Sequence, residues 1–190
     1  MQTGWGRTGE HFWGISAHGI TPDAMTFAKG LGNGFAIGGV VARGELLDGI
    51  RGNSISTFGG NPVATAAGNA TLDYVLSHDL QRNAAVTGRL IIDGLKEAAA
   101  TLDIVGDVRG KGLMFAVDLV DPATRRPSPP LAARMLEATK ERGLLVGKGG
   151  LYGHTLRMAP PLTLTEAEAK EGLGILTDAL TAVNSEVAGP

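Results

Sequence analysis

The sequence predicts an α/β chain in two folding units, divided near residue 80. Three observations predict it. Short apolar runs of strand length, such as Ala24 to Ala28 and Leu113 to Leu119, alternate with longer stretches whose apolar residues recur every three or four positions, such as Val86, Leu90, Ile91 and Leu95. Helix starts are written locally, as Asn61-Pro62 and as Thr165-Glu166-Ala167-Glu168. The 29 glycines cluster between these segments and follow no repeat, as turn residues do. Helices and strands mixed in this way make an α/β or α+β assembly.

Residues 1–22 read as loop, with an aromatic patch at Phe12 and Trp13. Ala24 to Ala28 and Ala36 to Ala42 are expected to be strands buried on both faces. Between them lies Lys29-Gly30-Leu31-Gly32-Asn33-Gly34, which places Lys29 at a strand end, where α/β proteins commonly build sites. Asn61 caps the free amides of a helix whose first position suits Pro62, and this helix should reach about Leu76. A second helix follows Asp79. Ile104 to Val108 and Leu113 to Leu119 read as strands around a turn at Arg109-Gly110-Lys111-Gly112. Asp121 to Pro130 holds four prolines and reads as an exposed loop before a helix from Leu131 to about Arg142, stopped by Gly143. Leu144 to Val146 and Thr155 to Met158 read as strands around another glycine loop. The closing helix aligns Leu173, Leu176, Leu180 and Val183 on one face.

A formal net charge of -2, with no block of lysine or arginine, gives no reason to expect nucleic acid or an anionic membrane as partner. No apolar stretch approaches the roughly 20 residues that cross a bilayer, and neither end reads as a targeting peptide. The chain has no cysteine, hence no disulfide or thiolate metal site, and the expected compartment is the cytoplasm. His11, His18, His78 and His154 are scattered, with no carboxylate at ligand spacing, so no metal site is expected. Gly106 to Gly112 has the wrong spacing for a phosphate-binding P-loop. Gly30 to Gly34 lacks the third spaced glycine of a dinucleotide fingerprint, which argues against a nucleotide-binding reductase.

Three side chains stand where chemistry is possible. Lys29 is an amine in a glycine-rich loop, where a flat ligand can approach the backbone and where apolar walls would favour the neutral, nucleophilic form. Taken alone, such a lysine is more often a solvated turn charge. Thr57 precedes the turn Phe58-Gly59-Gly60, so its hydroxyl and the turn amides can donate to a phosphate, although without Lys29 an ordinary turn before a capped helix would be the favoured reading. Arg157 lies in a short strand ahead of Pro160-Pro161. Its guanidinium can grip a carboxylate with two parallel donors, or form a structural ion pair with Glu166 or Glu168.

Four islands stand in one order along the chain: Gln2-Thr3-Gly4-Trp5-Gly6-Arg7-Thr8-Gly9, Thr26 to Gly34, Ser56 to Pro62, and Thr155-Leu156-Arg157-Met158-Ala159-Pro160-Pro161. Together they resemble the class III aminotransferases, which depend on pyridoxal 5'-phosphate, over essentially the whole chain. The resemblance implies the PLP-dependent transferase fold of type I. Residues 1–80 would form the C-terminal part of the large cofactor domain, incomplete here, and residues 81–190 the small α+β C-terminal domain. It implies that Lys29 anchors the cofactor covalently and moves the substrate proton, that Gln2 approaches the phenolic oxygen of the cofactor, and that Arg157 receives the substrate carboxylate. Thr57 would reach the phosphate of a neighbouring subunit's cofactor, which implies a homodimer with shared sites. Arg7 and Thr8 are read as structural. The expected reaction moves an amino group from an amino acid or ω-amine of the alanine or 4-aminobutyrate type to a keto acid such as glyoxylate, pyruvate or 2-oxoglutarate. The segments Val105 to Met114 and Gly143 to Gly147 look closest to the type 2 alanine-glyoxylate branch.

The departures from the family pattern carry expectations of their own. The family's aspartate that holds the pyridine nitrogen, its N-terminal phosphate loop and its ring-stacking aromatic residue have no counterpart, and Met1 stands where the family has valine or isoleucine. The chain is therefore expected to be a C-terminal half, with Met1 reflecting a valine codon taken as a start after loss of upstream gene sequence. Such a fragment should have little activity alone. The alternatives are a non-catalytic dimerisation module, or the complementing half of a split aminotransferase.

Overall fold

The computed structural model describes residues 2–188 and divides into two compact units, Met1–Arg82 and Asn83–Pro190. The first unit opens with a loop and a 3-10 turn at Gly14–His18. Strand β1 (Ala24–Phe27) and strand β2 (Gly39–Ala42) then pair antiparallel, with Ala24 opposite Ala42 and Phe27 opposite Gly39. A second 3-10 turn, Lys29–Gly32, lies between them. The expected burial on both faces is not found, because no layer within this unit covers the two-stranded ribbon: Val40 and Val41 are exposed. A short helix α1 (Gly44–Asp48) follows β2.

Helix α2 (Pro62–Ser77) starts as its sequence dictates. The Asn61 side chain accepts from the Ala64 amide at 3.0 Å and donates to the Phe58 carbonyl at 2.9 Å, and Pro62 sits in the first turn, where it forfeits no helical hydrogen bond. The apolar interior of this unit is small, with Leu31, Ala64, Val75 and Leu80 its buried hydrophobic side chains.

The division between units falls in the first turn of helix α3 (Leu80–Ala99). In the second unit, strands β3 (Val105–Lys111), β4 (Met114–Leu119), β5 (Gly147–Gly149) and β6 (Thr155–Met158) form one antiparallel sheet in the order β3-β4-β6-β5. Helix α4 (Pro129–Glu141) precedes β5, and helix α5 (Glu166–Ala188) closes the chain. The β3-β4 turn is tighter and later than expected. Lys111 pairs with Met114, so Gly112 and Leu113 alone make the turn, with Gly112 at φ +54 where a type II′ turn requires a positive value. Arg109 and Gly110 consequently lie in the strand. The strand expected at Leu144 to Val146 forms three residues later, at Gly147–Gly149.

One hydrophobic core fills this unit. Val117, Leu119 and Leu156 of the sheet meet Leu95 of α3, Met135 of α4 and Leu180 and Val183 of α5, all essentially inaccessible to solvent. The face expected on α5 is the one observed. On α3, however, Val86 is exposed; the inward stripe runs instead through Ala84, Thr87, Ile91 and Leu95. The start of α5 carries a reciprocal cap, in which the Thr165 amide donates to the Glu168 carboxylate at 2.8 Å and the Glu168 amide donates to Thr165 Oγ1 at 3.2 Å.

Candidate functional site

Gln2, Lys29 and Thr57 all belong to the first unit, and apolar contacts link the segments that carry them. Trp5, three residues after Gln2, packs edge-on against Phe12, Trp13 and Phe27, so the Gln2 segment rests against β1 immediately before Lys29. Helix α2, which follows the Thr57 turn, packs on the lysine turn through Gly68, where an added Cβ would stand 3.4 Å from Ile37 and 3.8 Å from Leu31. No hydrogen bond or ion pair within the described residues engages the side chains of Gln2, Lys29 or Thr57, and all three are exposed. Lys29 thus lacks the apolar walls expected of it, since β1 and β2 beside it are themselves open to solvent. Thr8, read as structural, is buried and donates to the His11 carbonyl at 3.2 Å.

The backbone at Lys29 is unusual in another way. Its φ of +58 lies in the left-handed region, which costs a residue with a side chain about 1–2 kcal/mol relative to glycine. Strain of this kind persists where the surrounding structure determines it, and it is concentrated at ligand sites. A Cβ added at Gly30 or Gly34 would meet nothing within 4 Å, so the turn that carries Lys29 is open at these two glycines. A primary amine, a hydroxyl and a carboxamide, each without a partner among the described residues, are side-chain types that suit an aldehyde-bearing, phosphorylated ring.

Arg157 belongs to the second unit and lies on the sheet face opposite the core. Two cross-strand rows define that face. One row runs Arg109, Ala116, Arg157, Gly147; the next runs Asp107, Asp118, Thr155, Gly149. Arg157 therefore has alanine on one side and glycine on the other, and its Cδ leans toward Gly149, 3.8 Å from where a Cβ would stand there. Neither expected ion pair forms: Glu166 pairs with Lys170 at 2.6 Å and Glu168 caps α5. The Arg157 guanidinium is exposed and has no partner among the described residues.

A polar network on the same face went unread in the sequence. Arg109 donates to both oxygens of Asp118, at 2.6 and 3.0 Å, and to Asp107 at 2.7 Å. Thr155 donates its hydroxyl to Asp118 at 2.6 Å, and His154 Nε2 lies 3.6 Å from the same carboxylate. Burial pushes the Asp118 carboxyl up, but the hydrogen bonds from Arg109 and Thr155, with the nearby positive charge, hold it below its ordinary value. Asp118 and then Asp107 raise the Arg109 guanidinium through hydrogen bonds. The available signal was the alternation of strand side chains, which puts Asp107 and Arg109 on one face of β3 with Asp118 opposite on β4. Among the described residues no group of histidine, aspartate and glutamate is placed to hold a metal ion, and no helix is long and apolar enough to cross a membrane.

The fold is that of part of a PLP-dependent transferase of fold type I. The family model for class III aminotransferases matches residues 1–180, and the chain belongs to that family. It is 42% identical over 171 residues to the mitochondrial alanine-glyoxylate aminotransferase 2 homolog 2 of Arabidopsis thaliana, covering 89% of this chain and 36% of that protein. With the mitochondrial alanine-glyoxylate aminotransferase 2 of Homo sapiens it shares 38% identity over 185 residues, covering 95% of this chain and again 36% of the relative. Among solved structures, a phospholyase from Arthrobacter in complex with phosphoethanolamine superposes with a TM-score of 0.90 at 38% identity, covering 95% of this chain and 44% of that one. The chain thus spans little more than a third of the length of these curated relatives. Class III aminotransferases are PLP-dependent enzymes.

Proposed function

We propose that the chain is the lysine-bearing, carboxylate-receiving portion of a PLP-dependent transaminase that moves an amino group from an amino acid or ω-amine, of the alanine or 4-aminobutyrate type, to glyoxylate, pyruvate or 2-oxoglutarate. The observation that carries this reading is Lys29: an exposed amine, unpaired within the described residues and held in the left-handed region by a glycine turn. Pyridoxal phosphate, when bound, supplies an aldehyde for that amine and a ring that accepts the electrons of a deprotonated carbon. On the protein side, Lys29 Nζ is the covalent anchor and, once released, the group that takes and returns the substrate proton. Gln2 offers its amide to the phenolic oxygen. Thr57 donates its hydroxyl to a phosphate across a two-fold interface, making the homodimer the working unit. Arg157 orients the amino or keto acid through its carboxylate.

The chain alone should turn over slowly or not at all, because few of the donors that would preorganise charge around the cofactor come from these residues. It would then serve as the complementing half of a split enzyme or as a dimerisation module. For compartment we propose the cytoplasm, which the lack of cysteine permits, although the plant and human relatives are named as mitochondrial.

The test is borohydride reduction of the full chain with pyridoxal phosphate, followed by peptide mapping. The label should sit on Lys29 and be absent from Lys29→Ala; a label on another lysine, or none, removes the assignment. A second reading, elimination of phosphate from a phosphorylated amine, is favoured by the Arthrobacter neighbour. Co-expression with an N-terminal class III portion, assayed with alanine plus glyoxylate and separately with phosphoethanolamine, separates the two by keto-acid amination against phosphate release.

A further inference from the structure

On the open face of the second unit, two arginines share one cross-strand row with only Ala116 between them, yet their circumstances are opposite. Arg109 is bound to Asp118 through two hydrogen bonds and to Asp107 through a third, whereas Arg157 has no partner among the described residues. Asp118 sits diagonally from Arg157, two residues along β4 from Arg157's neighbour Ala116, a separation that long side chains bridge. Asp118 is nevertheless already engaged through both of its oxygens. Its Oδ1 accepts from Arg109 and Thr155, and its Oδ2 accepts from Arg109 while facing His154.

We propose that Arg109 is a positioning residue whose task is to keep Arg157 available: by binding both oxygens of Asp118 it denies Arg157 the carboxylate diagonal to it, so the free guanidinium is left for an incoming one. This rests on the carboxylate role of Arg157 given above. It adds that the role depends on a second arginine that touches no substrate. Small neighbours complete the arrangement, because Ala116 and Gly147 on either side offer Arg157 no competing group. Without Arg109, Asp118 would keep its bond from Thr155 but lose its charge partner, and the remaining guanidinium on this face is Arg157. A partly buried carboxylate deprived of its cation recruits another where one is within reach, since leaving it unpaired is costly.

The experiment uses the full chain, its variants Arg109→Gln, Arg109→Gln/Asp118→Asn and Arg109→Gln/Arg157→Gln, and two readouts. The first needs no ligand: the Asp118 carboxyl is titrated by carbon NMR. In Arg109→Gln its pKa should stay depressed because Arg157 takes over, and in Arg109→Gln/Arg157→Gln it should rise. Equal rises in both variants overturn the proposal. The second readout follows the Arg157 side-chain NH during titration with pyruvate. Arg109→Gln should bind about tenfold more weakly than the parent, as expected for a competing charged hydrogen bond. Arg109→Gln/Asp118→Asn should recover to within about twofold, because the competitor has gone. Loss of the β3-β4 tie is common to both variants, so a merely structural Arg109 predicts no recovery, and that result also overturns the proposal. If the parent chain shows no pyruvate response at Arg157, the carboxylate role itself fails. Capture of Arg157 by Asp118 is still decided by the carboxyl titration.

Discussion

Lys29 holds its backbone in a conformation that glycine would adopt without strain. Lys29→Gly should therefore raise the unfolding free energy by about 1 kcal/mol while removing the amine, a trade that urea unfolding and borohydride labelling read together. If Lys29→Gly is instead destabilising, the strain argument is wrong. Asp118 makes a second residue-scale prediction, from its depressed carboxyl. A group whose folded pKa lies below its unfolded value of about 3.8 stabilises fully above that value and loses its contribution as pH falls through the folded one. Asp118→Asn should accordingly be less stable than the parent at pH 7, and the gap in urea midpoint should close as pH drops below about 4. A gap that stays constant from pH 7 to 3 would show that Asp118 acts through shape and not through charge.

Among the elements, α3 and the β3-β4 hairpin meet at a point that tolerates no side chain. A Cβ on Gly88 would fall on the backbone of Gly112, and backbone cannot rotate aside. Gly88→Ala gains about 1 kcal/mol of helix propensity but incurs overpacking of about 1–3 kcal/mol or more. The net should be a loss of stability with a shifted hairpin, visible as a lower urea midpoint and altered amide shifts around Gly112; a stabilised variant would refute the contact. The helices were legible in the sequence because their signals are local: the Asn61 cap, the paired prolines before Leu131 and the Thr165-Glu168 box each act within one turn. The strands were legible in existence more than in extent, since a strand ends where its partner ends, as at Gly147–Gly149, where pairing with β6 decides the register. The candidate site divides in the same way. Lys29, Thr57 and Arg157 stand out by type and neighbours, whereas the Arg109-Asp118-Thr155 network depends on pairing across three strands. Exposure of Lys29 was unreadable because the sequence does not say what covers β1 and β2.

At the scale of the whole molecule, the two units differ in how they are held. The large fully buried side chains, from Leu95 to Val183, all lie in the second, while the first has Leu31, Ala64, Val75 and Leu80 as its buried hydrophobic side chains among the described residues and leaves Ile50, Ile55 and Phe58 largely exposed. Cooperative stability scales with buried apolar surface, so local opening should be far easier in the first unit. Arg43 and Arg51 lie in the open stretch on either side of α1, with neither strand nor long helix from residues 49 to 61. A trace of trypsin should nick the chain there within minutes, while the piece that holds α3 to α5 outlasts it by hours. Intact-mass spectrometry of the digest would show whether the sheet with Arg157 survives as a separable body once the lysine-bearing portion has been trimmed away.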